Sequence, residues 1–415
     1  MRSTNQKIVK AYFFIITVLF LFLLFNAKIF SQEQKSFGIN LSGFVKTDII
    51  YDSREVLALR EGHFLLYPVE EKKDITGAIL NDRPSFNILS IQTRLTGKIT
   101  APDVLGAKTS GVIEGAFFGN VEGDINGFRL RHAFVKLEWE NSSLLAGQFW
   151  HPMFIVESFP DVVSFNTGAP FQPFSRNPQI RFTQKFGSLS IMAAAYTQRD
   201  FQSSGPQGNS SIYMRNAALP GFHVQTQLQF TGLLLGFGGD YKTLKPRTVT
   251  DKNYLTDETV SSYAGIAFGK INLGDFSIKL EGIYGQNLTD LLMLGGYAVY
   301  EKSAATGVEK YTCTKAYSVW SEIIYGKEIQ FALFGGYTKN NGADKIVTTN
   351  YARGFNIDFI YRISPRIIVN SGKFRVAGEV EYTTAAYGTP DSKGKVLNSK
   401  EISNLRLLGA VYLFF

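Results

Sequence analysis

The stretch Lys400–Phe415, KEISNLRLLGAVYLFF, decides the fold. Leu405, Leu407, Gly409, Val411, Leu413 and Phe415 occupy every second position, and Asn404 and Arg406 begin the opposite register. Side chains of an extended strand point to alternate faces, so this segment carries one continuous apolar face. An apolar face running to a terminal aromatic residue fits the closing strand of a transmembrane β-barrel. A buried strand of a soluble sandwich shows the same alternation. The rest of the chain has to separate the two.

Met1–Ser31 reads as a secretory leader. Arg2, Lys7 and Lys10 form a basic start, Ala11–Phe25 is an unbroken apolar run, and Asn26–Ser31 is a short polar exit. The run is short for a membrane helix, which needs roughly 20 apolar residues, and its layout is that of a cleaved signal, with cleavage expected after Ser31. No later stretch is long and apolar enough for a helical span, yet 45% of the residues are hydrophobic and 14% aromatic, with 20 Tyr and 35 Phe. A barrel places such residues against lipid and in interfacial girdles. Removing the leader with Arg2, Lys7, Lys10 and Lys28 lowers the formal charge from +8 to +4. No dense basic cluster remains, so nucleic-acid binding has no support. Cys313 is the only cysteine, which excludes an internal disulfide.

Alternation recurs from one end of the mature chain to the other. In Ile39–Ser53, Ile39, Leu41, Val45, Ile49 and Tyr51 oppose Asn40, Ser42, Lys46, Asp48 and Asp52. In Phe86–Ala101, Leu89, Ile91, Leu95 and Ile99 oppose Gln92, Arg94, Thr96 and Lys98. Further strands are expected at Thr109–Asn120, Phe128–Glu140, Ser143–Met153, Gln179–Phe186, Ser188–Gln198, Phe222–Thr231 and Leu233–Leu244. The remainder are Val260–Leu273, Phe276–Asn287, Lys315–Lys327, Glu328–Asn340, Phe355–Asn370, Lys373–Tyr387 and the terminal segment. The count is about sixteen, an even number typical of bacterial barrels. Phe128–Glu140 and Val260–Leu273 switch parity partway, which calls for bulges or for different strand boundaries.

Connections sort by length. Gly187, Gly232, Gly274-Asp275 and Ser371-Gly372 are tight; Arg54–Ser85, Phe154–Asn177, Arg199–Gly221 and Leu288–Thr314 are long. Short and long links alternate when one rim of a barrel is periplasmic and the other extracellular. A soluble sandwich has no reason to sort its loops this way. The expected fold is therefore an all-β transmembrane antiparallel barrel over residues 32–415, with both termini at the short-turn rim.

Chemistry is sparse. His63, His132, His151 and His223 show no metal-ligand spacing, and neither a Gly-x-Ser-x-Gly elbow nor a phosphate-cradling glycine loop is present. No cofactor, no metal and no catalytic residue is expected. Two other classes stay open: a barrel hydrolase, which needs Ser or Asn beside His132 or His151 on one outer face, and a secreted soluble β-rich binding protein.

The richest block is EGAFFGN (Glu114–Asn120), GFRLRHAFVKLEW (Gly127–Trp139), LLAGQFWHPMF (Leu144–Phe154), FPDVVSFNTGAP (Phe159–Pro170) and RNPQIRFTQ (Arg176–Gln184). Taken in this order these segments resemble the DcaP-like family of outer-membrane porins; phosphate-selective porins share a similar arginine-rich strand. The resemblance implies a trimeric sixteen-stranded channel in the outer membrane of a Gram-negative bacterium, passing small, often anionic, solutes. It implies that the C-terminal strand ending in Phe415 is read by the barrel assembly machinery. A helical N-terminal extension found in some members has no counterpart between Gln32 and the first strand.

The residues of that block support a pore on their own terms. Arg129 and Arg131 share one face of the fourth strand, Arg181 lies on a polar face with Thr183 and Lys185, and Arg94 and Lys98 share a face of the second. Lipid exposure of such charges at mid-depth costs roughly 2–4 kcal/mol each, so they should point inward. With Arg176 they are the expected pore-lining, anion-binding set, because guanidinium groups grip carboxylates and phosphates and favour anions in a narrow pore. Glu114, Glu281, Glu379 and Glu381 are also expected inside, and the alternative is a balanced field across the lumen. Phe154–Asn177, with Pro160, Pro170 and Pro173 among Phe159, Phe165, Phe171 and Phe174, joins the fifth and sixth strands, where general porins fold a loop into the barrel. It is expected to enter the lumen with its charges toward the arginines; an outward loop or trimer contact is the other reading.

Overall fold

The computed structural model describes residues 37–119 and 122–415, so the expected leader Met1–Ser31 lies outside the described residues. Sixteen antiparallel strands close into a barrel. They are β1 (Gly38–Asp52), β2 (Ser85–Leu89 with Arg94–Val104), β3 (Ala107–Ala116), β4 (Arg129–Glu138), β5 (Ser142–Trp150), β6 (Arg176–Phe186), β7 (Leu189–Tyr196) and β8 (Gly221–Phe230). The second half holds β9 (Leu233–Leu244), β10 (Val260–Leu273), β11 (Phe276–Gln286), β12 (Glu309–Tyr325), β13 (Ile329–Ala343), β14 (Ile357–Ser371), β15 (Phe374–Pro390) and β16 (Val396–Phe414). Closure is made by β16 on β1, in register from Phe44 opposite Phe414 to Asp52 opposite Arg406. Phe415 extends the ladder by exchanging backbone hydrogen bonds with Gly43 (3.3 and 3.2 Å). A closed sheet leaves no edge, so every backbone group in the wall can pair without water.

The alternation resolves into a lipid face and an interior face. Ile39, Leu41, Val45 and Ile49 of β1 are exposed while Lys46, Asp48 and Asp52 are buried; in β16, Leu405, Leu407, Val411 and Leu413 are exposed while Asn404 and Arg406 are buried. In a membrane that exposed set meets acyl chains. Gly187, Gly232, Gly274 and Gly372 sit in the tight turns with φ between 58° and 73°. Two-residue hairpin turns need positive φ, which glycine adopts without strain. The start of β1 and the end of β16 lie at this short-turn rim, Gly38 opposite Thr100 and Phe414 bonded to Lys373.

Two expected details differ, and a third holds. β2 is not one alternating run: the ladder breaks between Leu89 and Arg94, so Leu89 and Ile91 are buried inside whereas Phe86, Ile88 and Leu95 face out. β4 does carry a bulge, opposite Glu114 and Gly115, which turns Arg131 and His132 inward together. β10 carries none: its register with β9 runs unbroken from Val260 to Ile271. Beyond Ser262 its inner face is apolar, with Ile266 and Phe268 packed on Met153 and Ile155 of the loop after β5. Patterning assumed a wet interior there, and a packed loop removes that constraint.

The wall is uneven in height. β3 to β7 run 8–11 residues, about what a tilted strand needs to cross a bilayer. β12 to β16 run 15–19 residues and rise beyond it on the long-loop side. There β12 is joined by Gly295–Lys302 and that segment by Thr349–Arg353. These two additions and the split of β2 account for the nineteen segments of the sheet.

Candidate pore site

The bulge in β4 places its bases. Arg129 and Arg131 flank outward Leu130, and Arg131 Nε donates to Glu114 Oε1 of β3 at 2.7 Å. Arg94 of β2 reaches the same oxygen at 3.6 Å. Arg129 and Arg176 share a second carboxylate, Asp200, in the long loop after β7; Arg176 Nε donates to Asp200 Oδ2 at 2.7 Å. Arg131 and Arg176 both sit over the Trp150 ring, at 5.8 and 5.0 Å. Arg94, Arg129, Arg131 and Arg176 therefore form one cluster on the low wall. Arg181 stands apart, held by Gln179 Oε1 (3.0 Å) and Trp150 O (2.8 Å). Lys98 is exposed near the short-turn rim. Arg131 and Arg176 are buried, at 2% and 1% exposure, beneath Phe118, Phe165 and Phe174.

Residues 151–175 cross the interior to the opposite wall. His151 N and Ser175 O close the base of the loop at 2.9 Å, and Trp150 stacks on Phe154 with centroids 3.9 Å apart. Beyond that base, wall side chains grip the loop's backbone. Lys279 Nζ donates to Phe159 O (2.8 Å), Lys46 Nζ to Val163 O (2.8 Å) and Arg362 to Ala169 O (2.9 Å). Glu322 accepts from Asp161 N at 2.9 Å, and Glu379 accepts from Val163 N. The loop's two acids divide: Asp161 binds Lys279 on β11 at 2.7 Å rather than an arginine, while Glu157 lies within Coulombic reach of Arg181. Glu114 and Asp200 serve the arginine cluster.

Sequence reasoning passed over the bases of the other wall. Arg362 and Arg366 lie two positions either side of Ser364 on the inner face of β14, and Arg406 faces inward from β16. Each has an acid: Arg366 with Glu322 (2.7 Å), Arg362 with Glu381 (3.4 Å), Arg406 with Asp52 (2.6 Å). Lys46 has Asp48 at 2.8 Å and Lys279 has Glu322 at 3.0 Å. The signal was the same alternate spacing that marked Arg129 and Arg131. Arg60, in the first long loop, was also missed; it lies over the Phe118 ring at 4.8 Å and donates to Gly119 O at 2.8 Å. Above the low wall, Arg60, Arg129, Arg199 and Arg353 line a cavity of about 950 Å³ together with Asp124, Asp200, Leu57, Leu59 and Phe201.

In backbone shape the chain is similar to the outer membrane channel DcaP of Acinetobacter baumannii, with a TM-score of 0.68 at 14% identity, covering 93% of this chain and 100% of that one. The fold is that of an outer-membrane porin. An anion-selective porin from Comamonas acidovorans matches with a TM-score of 0.55 at 12% identity over 92% of this chain and 100% of its own. The trimer form of OmpT from Vibrio cholerae matches to the same degree over the same shares. No family model matches the chain, and no curated protein matches it in sequence. The porin fold and its apolar outer wall agree with the outer membrane of a Gram-negative bacterium. His132 and His151, which a barrel hydrolase would carry on the outer face, are buried inside, near Glu114 (3.8 Å) and Asp240 (3.9 Å).

Proposed function

We propose that the chain is a passive outer-membrane channel that favours small anionic solutes, with no chemical step and no cofactor, exported under the leader Met1–Ser31. The observation that carries this is charge imbalance on one wall. Among the described residues, Arg94, Arg129, Arg131 and Arg176 share two acids in ion-pair contact, Glu114 and Asp200, while Asp124 joins Arg129 in lining the cavity. Positive charge beside low-dielectric walls lowers the cost of bringing in an anion and raises that of a cation. Salt screens charges beyond roughly 8–10 Å, so only bases along the path matter. The low wall is the side we assign to neighbouring copies in a homotrimer, since its outer face presents Ile113, Leu130, Val135 and Ile180 at little more than membrane height. Phe415 is assigned as the mark read by the barrel assembly machinery.

Reversal potential in a KCl gradient tests the reading. Replacing Arg129 and Arg131 together with Gln is expected to move it toward cation preference. The same change at Lys393 and Lys395, in the loop between β15 and β16, is expected to move it less. Equal shifts, or an unaltered chain that already prefers potassium, defeat the proposal.

A further inference from the structure

A hairpin in the first long loop takes no part in the reading above. Val56–Leu59 pairs with Phe64–Pro68 in a two-stranded sheet separate from the barrel. Phe64, Leu65, Leu66, Tyr67 and Pro68 are all buried. A hairpin lying on a surface buries one face and wets the other; burial on both faces means that this strand is surrounded, while Leu57 and Leu59 of its partner strand are exposed on the cavity. On one side the Phe64 ring meets Phe165 and Phe174 of the crossing loop edge-on, with centroids 5.5 and 5.1 Å away, and Phe201 at 6.2 Å.

On the other side, inward-facing wall residues hold its backbone. Arg362 Nη2 donates to Leu66 O at 3.0 Å, Arg406 Nη2 to Gly62 O at 2.7 Å, and the Tyr387 hydroxyl to Pro68 O at 2.7 Å. Through its other nitrogen Arg362 also binds Ala169 O of the crossing loop (2.9 Å). One guanidinium ties both loops to β14. At the turn His63 stacks on Phe165 (4.8 Å) and meets Asp48 Oδ2 of β1 at 3.3 Å.

We infer that the hairpin Val56–Pro68 is a second constricting segment, which closes the lumen together with loop 151–175 and sets the size limit and rate of passage. This rests on the channel reading. Phe64, Phe118, Phe165 and Phe174 are at most 3% exposed, and a dry aromatic constriction blocks ions by excluding their water. Because the hairpin forms its own two-stranded sheet and pairs with no strand of the wall, it can withdraw toward the long-loop rim without breaking the barrel ladder, giving up side-chain contacts such as Arg60 Nε to Gly119 O. Arg362 and Arg406 then act as positioning residues for the hairpin, whereas Arg129 of the low wall borders the cavity open to the solute.

Single-channel conductance of the full barrel in planar bilayers tests this. Replacing Leu57–Leu66 with a short Gly-Ser link is expected to raise conductance at least twofold with loop 151–175 intact. Deleting Asn166–Pro173 alone is expected to raise it less than both changes together. A folded, heat-modifiable replacement that conducts like the parent overturns the inference, as does full opening by the Asn166–Pro173 deletion alone. If the replacement does not fold, Arg362→Gln with Phe64→Ala serves instead: more frequent openings support the hairpin's role, and unchanged closed times defeat it. Current unchanged across all variants defeats only the hairpin. Absence of current from every one of them defeats the channel reading itself.

Discussion

The two walls of this barrel use the same residue types to opposite ends. On the high wall, Lys46, Lys279, Arg362, Arg366 and Arg406 are matched by Asp48, Asp52, Glu322, Glu379 and Glu381, and several of these groups also hold loop backbone. Charge there is close to balanced and serves as an attachment surface. On the low wall, the arginines outnumber Glu114 and Asp200, and the cavity above them opens between long loops. The difference teaches that an inward arginine is not by itself a solute contact. On the proposed channel reading, what decides is the ratio of bases to acids around an opening, since Arg131 and Arg176 are themselves bonded to Glu114 and Asp200.

Substitutions can break that comparison. The largest effect is expected at Glu322, fully buried and shared by Arg366, Lys279 and the Asp161 N–H. Glu322→Gln leaves buried bases short of a counter-charge, a loss of roughly 3–5 kcal/mol where such pairs have been broken. The folded, fast-migrating form on a heat-modifiability gel should convert at a clearly lower temperature, with little change in ion preference.

A middling effect is expected from Arg131→Gln. Glu114 keeps Arg94 nearby, so the loss is that of one charge-assisted hydrogen bond, roughly 1.5–3 kcal/mol. Ion preference should move toward cations in the same variant. If Arg131→Gln destabilises as much as Glu322→Gln and leaves selectivity alone, the two walls do not differ in kind. The smallest effect belongs to Lys98→Gln. Lys98 is exposed at the short-turn rim, and surface changes away from special features stay within about 0.5 kcal/mol. A reversal-potential shift as large as that of the Arg129 and Arg131 double variant would move the selective point to the rim.

Much of the barrel was legible in advance. Faces in β1, β8, β15 and β16 could be named residue by residue, and the tight turns at Gly187, Gly232, Gly274 and Gly372 were visible as glycines between alternating runs. Errors fell where the interior is not wet. Leu89, Ile91, Ile266 and Phe268 are apolar residues facing in, and two-state patterning has no symbol for a lumen filled by its own loops. The arginine block was legible as a block, and Glu114 was expected inside with it; Asp200 was not legible, since it stands in a different loop and carried no local mark.

By itself the sequence determined the class, the strand number and the assignment of rims, because period-two alternation and turn chemistry act within a few residues of one another. Only the tertiary structure decided which bases are compensated, and that the Val56–Pro68 hairpin lies inside. Those outcomes depend on pairs such as Arg362 with Leu65 O, 297 positions apart. Their meeting is set by barrel closure, wall height and the shape of the loops between them, none of which is a property of a local segment.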